Sequence, residues 1–321
     1  MHNSDTAAAV TAIYGQPLTG LIPPDPTALQ TSPLFPGASA RLEDFAPGAL
    51  AAMTMLAPPG TVERRYALAV TLRALRPGGV LTVMAPKDKG GSRLRKELEA
   101  FGCKVEESAK AHHRICICTP PAEPLGLDVA IEEGAPRLID GLGLWSQPGV
   151  FSWDRIDPGS ELLAKHLPSL TGRGADLGCG VGYLSRAILA APTVDGLSLI
   201  DKDRRAIDAA RRNIEDSRAR LVWADVNALD LEDGMKDLDF VVMNPPFHDA
   251  GTEHRGLGQA FIRRAAEMLK ARGVLWLVAN RHLPYEFVLA EAFAKTTVVV
   301  EHAGYKAVPY THLTLPTKRT V

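Results

Sequence analysis

The sequence predicts an α/β fold of two tandem domains, each built on a mostly parallel β-sheet. Apolar segments of strand length alternate with amphipathic helical segments through the second half of the chain. A similar series of segments recurs in the first half. The length of 321 residues suits two α/β domains of ordinary size.

The second half carries the clearer pattern of elements. Four apolar segments end at a polar residue, and these residues are Asp176, Asp201, Asp225 and Asn244. Helices are predicted at 159–166, after Asp176, from Asp201 to about 217, at 257–271 and at 286–294. A strand at 274–279 and an antiparallel pair at 296–301 and 304–308 complete a sheet of seven strands.

Two segments fall outside this pattern. Residues 136–148 are predicted to be a linker. After Val308 the chain reads PYTHLTLPTKRTV, and its Pro316 cannot occupy a central strand. We therefore treat residues 309–321 as a tail of doubtful origin and assign it no function.

An internal repeat predicts a duplicated domain. RPGGVLTVMAP, from Arg76, matches KARGVLWLVAN, from Lys270, so that Gly79 corresponds to Gly273, 194 positions later. Ahead of it, residues 57–60 (APPG) match residues 244–247 (NPPF), so the first copy lacks both Asn and Phe. It also lacks a glycine turn. We predict that residues 1–140 are a silent copy of the domain at 141–308; the alternative is a chance similarity between two α/β halves.

A glycine-rich turn joins the first predicted strand of the second half to its helix. The turn contains Gly178, Cys179, Gly180 and Gly182. Glycine adopts positive φ and lets a ligand lie against the backbone and the helix N-terminus. Nineteen residues past Gly182, Asp201 is spaced to meet a ribose diol. NAD fits less well, because the glycines run GxGxG and Asp176 is placed to meet a cationic group.

The tetrapeptide Asn244, Pro245, Pro246 and Phe247 is the main candidate for chemistry. Two prolines withdraw two backbone N–H groups, so carbonyls and the Asn244 side chain remain as hydrogen-bond acceptors. Such a corner suits an NH2 group, and Phe247 could stack a planar base. His248 is a candidate proton relay or an ordinary turn residue. The alternative is an Asn-Pro turn without chemistry.

These motifs resemble those of the class I S-adenosylmethionine-dependent methyltransferases that modify exocyclic amino groups. Further blocks at 149–163 (GVFSWDRIDPGSELL) and 278–287 (VANRHLPYEF) resemble the bacterial guanine-N2 methyltransferases of ribosomal RNA, notably the small-subunit enzymes. The resemblance spans roughly residues 144–307. It implies two tandem Rossmann-like methyltransferase domains with mostly parallel seven-stranded sheets, the N-terminal one degenerate, and S-adenosylmethionine as the cofactor.

The resemblance also implies roles for individual residues. Asp176, Gly178 and Gly180 would hold the methionine end of the cofactor, Asp201 its ribose and Asp225 its adenine. Phe151 and Asp157 would close the pocket. The Asn244 oxygen and the Pro245 carbonyl would accept the two hydrogens of the guanine amine.

Other functions remain open at this point. A glutamine-amide methyltransferase would use a similar corner, because an amide NH2 poses the same electronic problem. A DNA amino methyltransferase and a noncatalytic RNA-binding assembly factor are further alternatives.

Composition limits the setting and the partners. Nothing in the sequence indicates a membrane span or a secretion signal, so we expect a cytoplasmic protein that acts as a monomer. Metal binding by Cys116 and Cys118 with nearby histidines is conceivable, but a β-strand accounts for them, and we expect no metal. The net charge of −1 is unusual for an RNA-binding enzyme. Candidate contacts to ribosomal RNA or the small subunit are Lys87, Lys89, Arg93 and Arg255, although solvated helix faces would also explain them.

Overall fold

The computed structural model describes residues 10–23, 25–231, 234–246, 248–249, 252–253, 255–280, 285–296, 300–302 and 305–312. The chain divides into two compact units, residues 1–135 and 136–321, which we call the first and the second unit. No helix in the described ranges is long and apolar enough to cross a membrane.

The second unit contains a path of seven paired strands in the order β11-β10-β9-β12-β15-β18-β16, and β17 also pairs with β18. Its strands are β7 Arg137–Ile139, β8 Leu144–Ser146, β9 Gly172–Leu177, β10 Val194–Asp201, β11 Ala219–Trp223, β12 Leu238–Met243, β13 His248–Asp249, β14 Thr252–Glu253, β15 Leu269–Asn280, β16 Phe293–Thr296, β17 Val300–His302 and β18 Tyr305–His312. Its helices are α4 Pro158–His166, α5 Tyr183–Leu189, α6 Arg204–Asn213, α7 Arg255–Met268 and α8 Glu286–Ala292. The first five strands of the path are parallel, and β18 is antiparallel to its neighbours.

Both faces of this sheet are covered. Successive residues of β12 point to opposite faces, so that Val241 and Met243 enter one apolar cluster while Phe240 and Val242 enter another. A parallel sheet with two buried faces reads as a continuous apolar run, as LDFVVM does. The glycine-rich turn and Asn244 therefore follow rigid, buried strands.

Several boundaries differ from the prediction. The expected linker at 136–148 contains the two-stranded sheet of β7 and β8. Helix α6 ends at Asn213 rather than near residue 217, because Ile214 is extended and buried. Strand β18 continues past Val308 to His312, because buried Tyr310 packs against Phe293, with ring centroids 5.8 Å apart. The start of the predicted tail thus belongs to the sheet, while Pro316 lies outside the described residues.

The first unit contains a six-stranded sheet among its described residues, one strand fewer than predicted, in the order β2-β1-β3-β4-β6-β5. Its strands are β1 Thr11–Tyr14, β2 Leu29–Gln30, β3 Leu50–Leu56, β4 Leu75–Pro86, β5 Glu106–Lys110 and β6 His113–Cys118. Its helices are α1 Thr61–Ala74, α2 Ser92–Ala100 and α3 Leu127–Gly134. Strands β1 to β4 are parallel.

The missing elements lie at one edge of the first sheet. In the second unit, α5 connects β9 to β10 and α6 connects β10 to β11. In the first unit, the described residues between β1 and β2 contain no helix, and no further strand extends the sheet beyond β2. The part of the fold that carries the glycine-rich turn in the second unit is therefore reduced in the first.

The remaining elements of the two units match closely. Strand β15 begins at residue 269 and β4 at residue 75, the same shift of 194 positions that relates Gly273 to Gly79. A Cβ atom on Gly79 would lie 3.2 Å from the Leu50 carbonyl oxygen, and one on Gly273 would lie 2.8 Å from the Leu238 carbonyl oxygen. Both strand pairs also shift register after their first residue pair. These shared irregularities support a duplication.

The proline corner of the first unit is filled by a buried arginine. Arg64 Nη1 donates hydrogen bonds to the carbonyl oxygens of Pro58 (3.1 Å) and Pro59 (2.8 Å). Glu97 accepts two more from the same guanidinium, each at 2.7 Å. A Cβ atom on Gly90 would lie 2.2 Å from Arg64 Nη1, so glycine is required there. The acceptor corner of this copy is thus occupied by its own chain.

The two cysteines that are candidate metal ligands in the sequence lie in the core of the first unit. Cys116 and Cys118 are buried on strand β6, and burial raises the pKa of the Cys116 thiol to about 12. Within the described part of the chain, no three His, Cys, Asp or Glu side chains come together as a possible metal site.

Arg64→Met is expected to destabilise the first unit by about 3–5 kcal/mol, because it leaves the Glu97 carboxylate buried without its partner. The change in the free energy of unfolding is measured by urea denaturation. The control is Arg95→Met, which removes an exposed ion pair with Glu99 and should cost under about 1 kcal/mol. Equal effects of the two substitutions would contradict a structural role for Arg64.

Candidate active site

The candidate site lies at the carboxyl edge of the second sheet. Strands β9, β10, β11 and β12 are neighbours and parallel, so their carboxyl ends share one edge. The residues at these ends are Gly178, Asp201, Asp225 and Asn244. Ligands of open α/β sheets bind at this edge.

The three glycines of the turn adopt left-handed backbone conformations. Their φ values are +72° at Gly178, +53° at Gly180 and +86° at Gly182. Apart from its chain neighbours, no described residue has an atom within 4 Å of the place where a Cβ of Gly180 would be, whereas a Cβ on Gly182 would lie 2.7 Å from Ile214. Gly182 therefore serves packing, and Gly180 presents open backbone to the cleft.

Asp201 is tied to the glycine turn. Its Oδ2 accepts a hydrogen bond from the Gly180 N–H (2.8 Å), and its Oδ1 accepts one from the Asp203 N–H (2.8 Å). Burial raises the pKa of Asp201 to about 6, against the opposing effect of these hydrogen bonds. The turn and the end of β10 therefore hold each other in place.

Asp176 lies fully buried on β9, just before the turn. Its Oδ2 accepts a hydrogen bond from Ser185 Oγ (2.6 Å), while Oδ1 has no hydrogen-bond partner among the described residues. Burial, with a smaller effect from the Asp201 charge, raises the pKa of Asp176 to about 7. An unpaired buried carboxylate oxygen is costly, which favours a site completed by a donor or a cationic group.

Asp225 follows the carboxyl end of β11 and is half-buried. Its Oδ1 accepts from the Asn227 N–H (3.0 Å), and Lys202 Nζ lies 3.2 Å from its Oδ2. The carboxylate is thus oriented by a local turn and by one cation.

The Asn244 side chain is held by the helix that starts at Pro158. Its Nδ2 donates to Asp157 Oδ2 (2.7 Å) and to Ser160 Oγ (3.0 Å). Asp157 is the N-cap of α4, where Oδ2 also accepts from the Ser160 N–H (2.8 Å). The amide NH2 is therefore engaged, and no described residue donates to the Asn244 oxygen.

A cleft that is open to solvent lies at this edge of the sheet. Six of the predicted residues line it, namely Phe151, Asp157, Gly178, Cys179, Gly180 and Asn244. Asp176, Gly182, Asp201 and Asp225 do not line it. Among the lining residues, Phe151 is 62% exposed. Cys179 is buried, and this burial raises the pKa of its thiol.

Sequence reasoning missed two lining residues. Ser160 could be found only through its contact with Asn244, which is 84 residues away. Ser146 is buried at the end of β8, in the segment predicted to be a linker, and its hydroxyl has no hydrogen-bond partner among the described residues. Open backbone at Gly180 and the unpaired hydroxyl oxygen of Ser146 fit a small ligand that carries an amino group.

Several predicted residues cannot be placed in this geometry. Pro245 is buried and Pro246 half-buried directly after β12. Phe247 lies outside the described residues, as do the side chains of His248 and Arg255. Lys87, Lys89 and Arg93 belong to the first unit and are considered below.

Comparisons with known proteins agree on one family. A model of the Methyltransferase small domain family matches residues 141–308. The chain is 33% identical to Ribosomal RNA small subunit methyltransferase C of Pseudomonas paraeruginosa, over 93% of each protein. It is 36% identical to the protein of the same name from Shewanella oneidensis, over 75% of this chain and 71% of the relative.

The fold also matches a solved structure. The T. thermophilus 16S rRNA N2 G1207 methyltransferase in complex with AdoMet and guanosine superposes with a TM-score of 0.73, at 24% identity. The match covers 95% of this chain and 88% of that one. Both units, including the first, are thus part of a known architecture.

Asp176 is expected to make stability depend on pH. Its pKa of about 7 in the folded protein lies above the ordinary value of 3.8, so its contribution is present at low pH and is lost as pH rises through about 7. The loss should not exceed about 4 kcal/mol. Urea unfolding between pH 5 and 8 should show this decline in the wild type and a smaller one in Asp176→Asn. Parallel curves for the two proteins would contradict the shift.

Proposed function

Because the chain belongs to the Methyltransferase small domain family, and to the ribosomal RNA small subunit methyltransferase C proteins, we propose that it methylates the exocyclic N2 amine of a guanosine in 16S ribosomal RNA. The methyl donor is S-adenosylmethionine. The observation that carries the proposal is the Asn244 amide, whose NH2 donates to Asp157 and Ser160 and whose oxygen accepts no hydrogen bond from any residue that the structure describes.

The acceptor chemistry follows from the electronic structure of guanine. Its amine is a weak nucleophile because the nitrogen lone pair is delocalised into the ring. The Asn244 oxygen and the Pro245 carbonyl would each accept a hydrogen bond from one N–H of the amine. These hydrogen bonds would raise the electron density on the nitrogen and stabilise the positive charge that develops there. S-adenosylmethionine, when bound, would supply an electrophilic methyl group to that nitrogen and leave as S-adenosylhomocysteine, while the amine releases one proton.

The remaining residues hold the reactants. We assign the methionine end of the cofactor to Asp176, Gly178 and Gly180, supported by the unpaired Asp176 oxygen and the open backbone of Gly180. Asp201 and Asp225 are proposed to bind the ribose and the adenine, with Phe151 closing the cleft. Phe247, from its place in the sequence, would stack the flipped base.

The first unit is proposed to bind RNA rather than to catalyse. The proline corner of this unit is occupied by Arg64. The residue that corresponds to Asn244 is Leu56 when the strand registers are matched, and Ala57 when the paired prolines are matched. Neither residue has a side-chain hydrogen-bond acceptor. Lys87 and Arg93 are exposed at the carboxyl end of β4, and Lys89 lies between them. Phosphate binding needs such cations.

The net charge of −1 favours an assembled small subunit over naked RNA as the acceptor, because ribosomal proteins would supply part of the docking surface. Such a substrate places the enzyme in the cytoplasm. Tritium transfer from labelled cofactor to small subunits, naked 16S RNA, DNA and protein tests the function. Labelling of DNA or protein alone would overturn it.

Asn244→Ala is expected to lower the rate of methyl transfer by at least about 100-fold, the effect of losing one preorganised hydrogen-bonding group. Cofactor affinity, measured by calorimetry, should change little. Asn227→Ala, at an exposed Asn shortly after the end of β11, is the control and should keep the wild-type rate. A transfer rate near wild type in Asn244→Ala would exclude the acceptor mechanism.

Charge reversal of Lys87 and Arg93 to Glu is expected to weaken RNA binding and to reduce its salt dependence by about one unit of slope for each lost phosphate contact. The matched control reverses Arg76 and Lys104, exposed at the opposite ends of β4 and α2. Filter binding at several salt concentrations measures both. If the two double variants lose affinity equally, only total charge matters and the assigned surface is incorrect.

A further inference from the structure

The hydrogen bonds on Asn244 suggest a role for residues outside the reacting set. We propose that Asp157 and Ser160 are positioning residues, which fix the Asn244 amide so that only its oxygen faces the amine to be methylated. This inference rests on the proposed function, because it concerns the same corner.

The need for such positioning follows from the shape of an amide. The oxygen and the NH2 group of Asn have nearly the same size, so a rotation about the Cβ–Cγ bond exchanges an acceptor for a donor. A reversed Asn244 would present NH2 to the NH2 of the substrate and could not accept its hydrogens. The corner therefore requires one of two nearly isosteric orientations.

Asp157 selects the orientation by charge. An ionised carboxylate is only an acceptor, and its Oδ2 lies 2.7 Å from Asn244 Nδ2. A reversed amide would place its oxygen against this carboxylate. Ser160 Oγ, at 3.0 Å, adds a second acceptor for the same NH2 group.

The carboxylate is itself held firmly. Asp157 Oδ2 caps helix α4 through the Ser160 N–H, and Pro158 fixes the first helical position. A Cβ atom on Gly159 would lie 3.1 Å from Asp157 Oδ2 and equally close to the Tyr305 ring. The sequence Asp-Pro-Gly-Ser thus provides the carboxylate, the rigid helix start, the space and the hydroxyl.

Two substitutions separate positioning from helix capping. Asn and Ser are both good N-caps, so Asp157→Asn and Asp157→Ser should both keep α4 and the melting temperature. Asp157→Ser caps the helix with a side chain one atom shorter than the carboxylate, so its hydroxyl no longer reaches Asn244 Nδ2 and the amide can reverse. It should lower kcat by about 100-fold with unchanged cofactor affinity. Asp157→Asn keeps one oxygen that can both cap α4 and accept from Asn244 Nδ2, and it should lose about 10-fold or less.

The matched control is Asp154→Asn, which removes a carboxylate from the same loop that pairs with Arg155 rather than with Asn244. It should keep the wild-type kcat. Ser160→Ala retains the Asp157 contact and should show a smaller loss than Asp157→Ser. Retention of more than half of kcat by Asp157→Ser would overturn the inference. Equal losses in both Asp157 variants with a lowered melting temperature would also overturn it.

A spectroscopic measurement tests the orientation without activity. In 15N-labelled protein, the side-chain amide signals of Asn244 are identified by their absence from Asn244→Asp. Nuclear Overhauser contacts from these amide protons to the Ser160 Hβ protons should be present in the wild type and lost in Asp157→Ser. Their absence from the wild type would refute the positioning role. If the wild type methylates none of the tested acceptors while these contacts are present, the proposed function fails and the positioning stands.

Discussion

The hydrogen bond between Asn244 and Asp157 joins the end of a buried strand to the start of a helix 87 residues earlier. Each partner is rigid for a different reason, since β12 is covered on both faces and α4 begins with a cap and a proline. One acceptor oxygen is thereby fixed in the cleft that the backbone of Gly180 also lines, and Asp201 on the adjacent strand β10 holds that glycine. These few contacts fix the orientation of the polar groups of Asn244 and Gly180 that line the cleft.

The two units show the same corner in two states. In the second unit the acceptors of the corner border an open cleft, and in the first a guanidinium satisfies the carbonyls of Pro58 and Pro59. A guanidinium carries planar N–H groups, as the amine edge of guanine does. The first unit thus satisfies internally the same hydrogen-bonding capacity that the second is proposed to use on a substrate.

The sequence predicted what local chemistry determines. Apolar runs located the central strands, and the glycines and prolines located the turns, because these residues restrict the backbone directly. It could not predict contacts that depend on assembly. Ser160 reaches Asn244, and Tyr310 extends β18 by packing on Phe293, only after distant segments meet. Asp157 was expected to close a pocket, and its hydrogen bonds to α4 and Asn244 were not foreseeable from spacing.

The contact between Arg64 and Gly90 has an evolutionary consequence. A side chain at position 90 would collide with the guanidinium of Arg64. Loss of that guanidinium would leave the Glu97 carboxylate without its ion-pair partner. Reintroducing Asn ahead of Pro58 would leave the corner blocked while Arg64 remains. Opening this corner to a ligand would therefore require several simultaneous changes in the sequence.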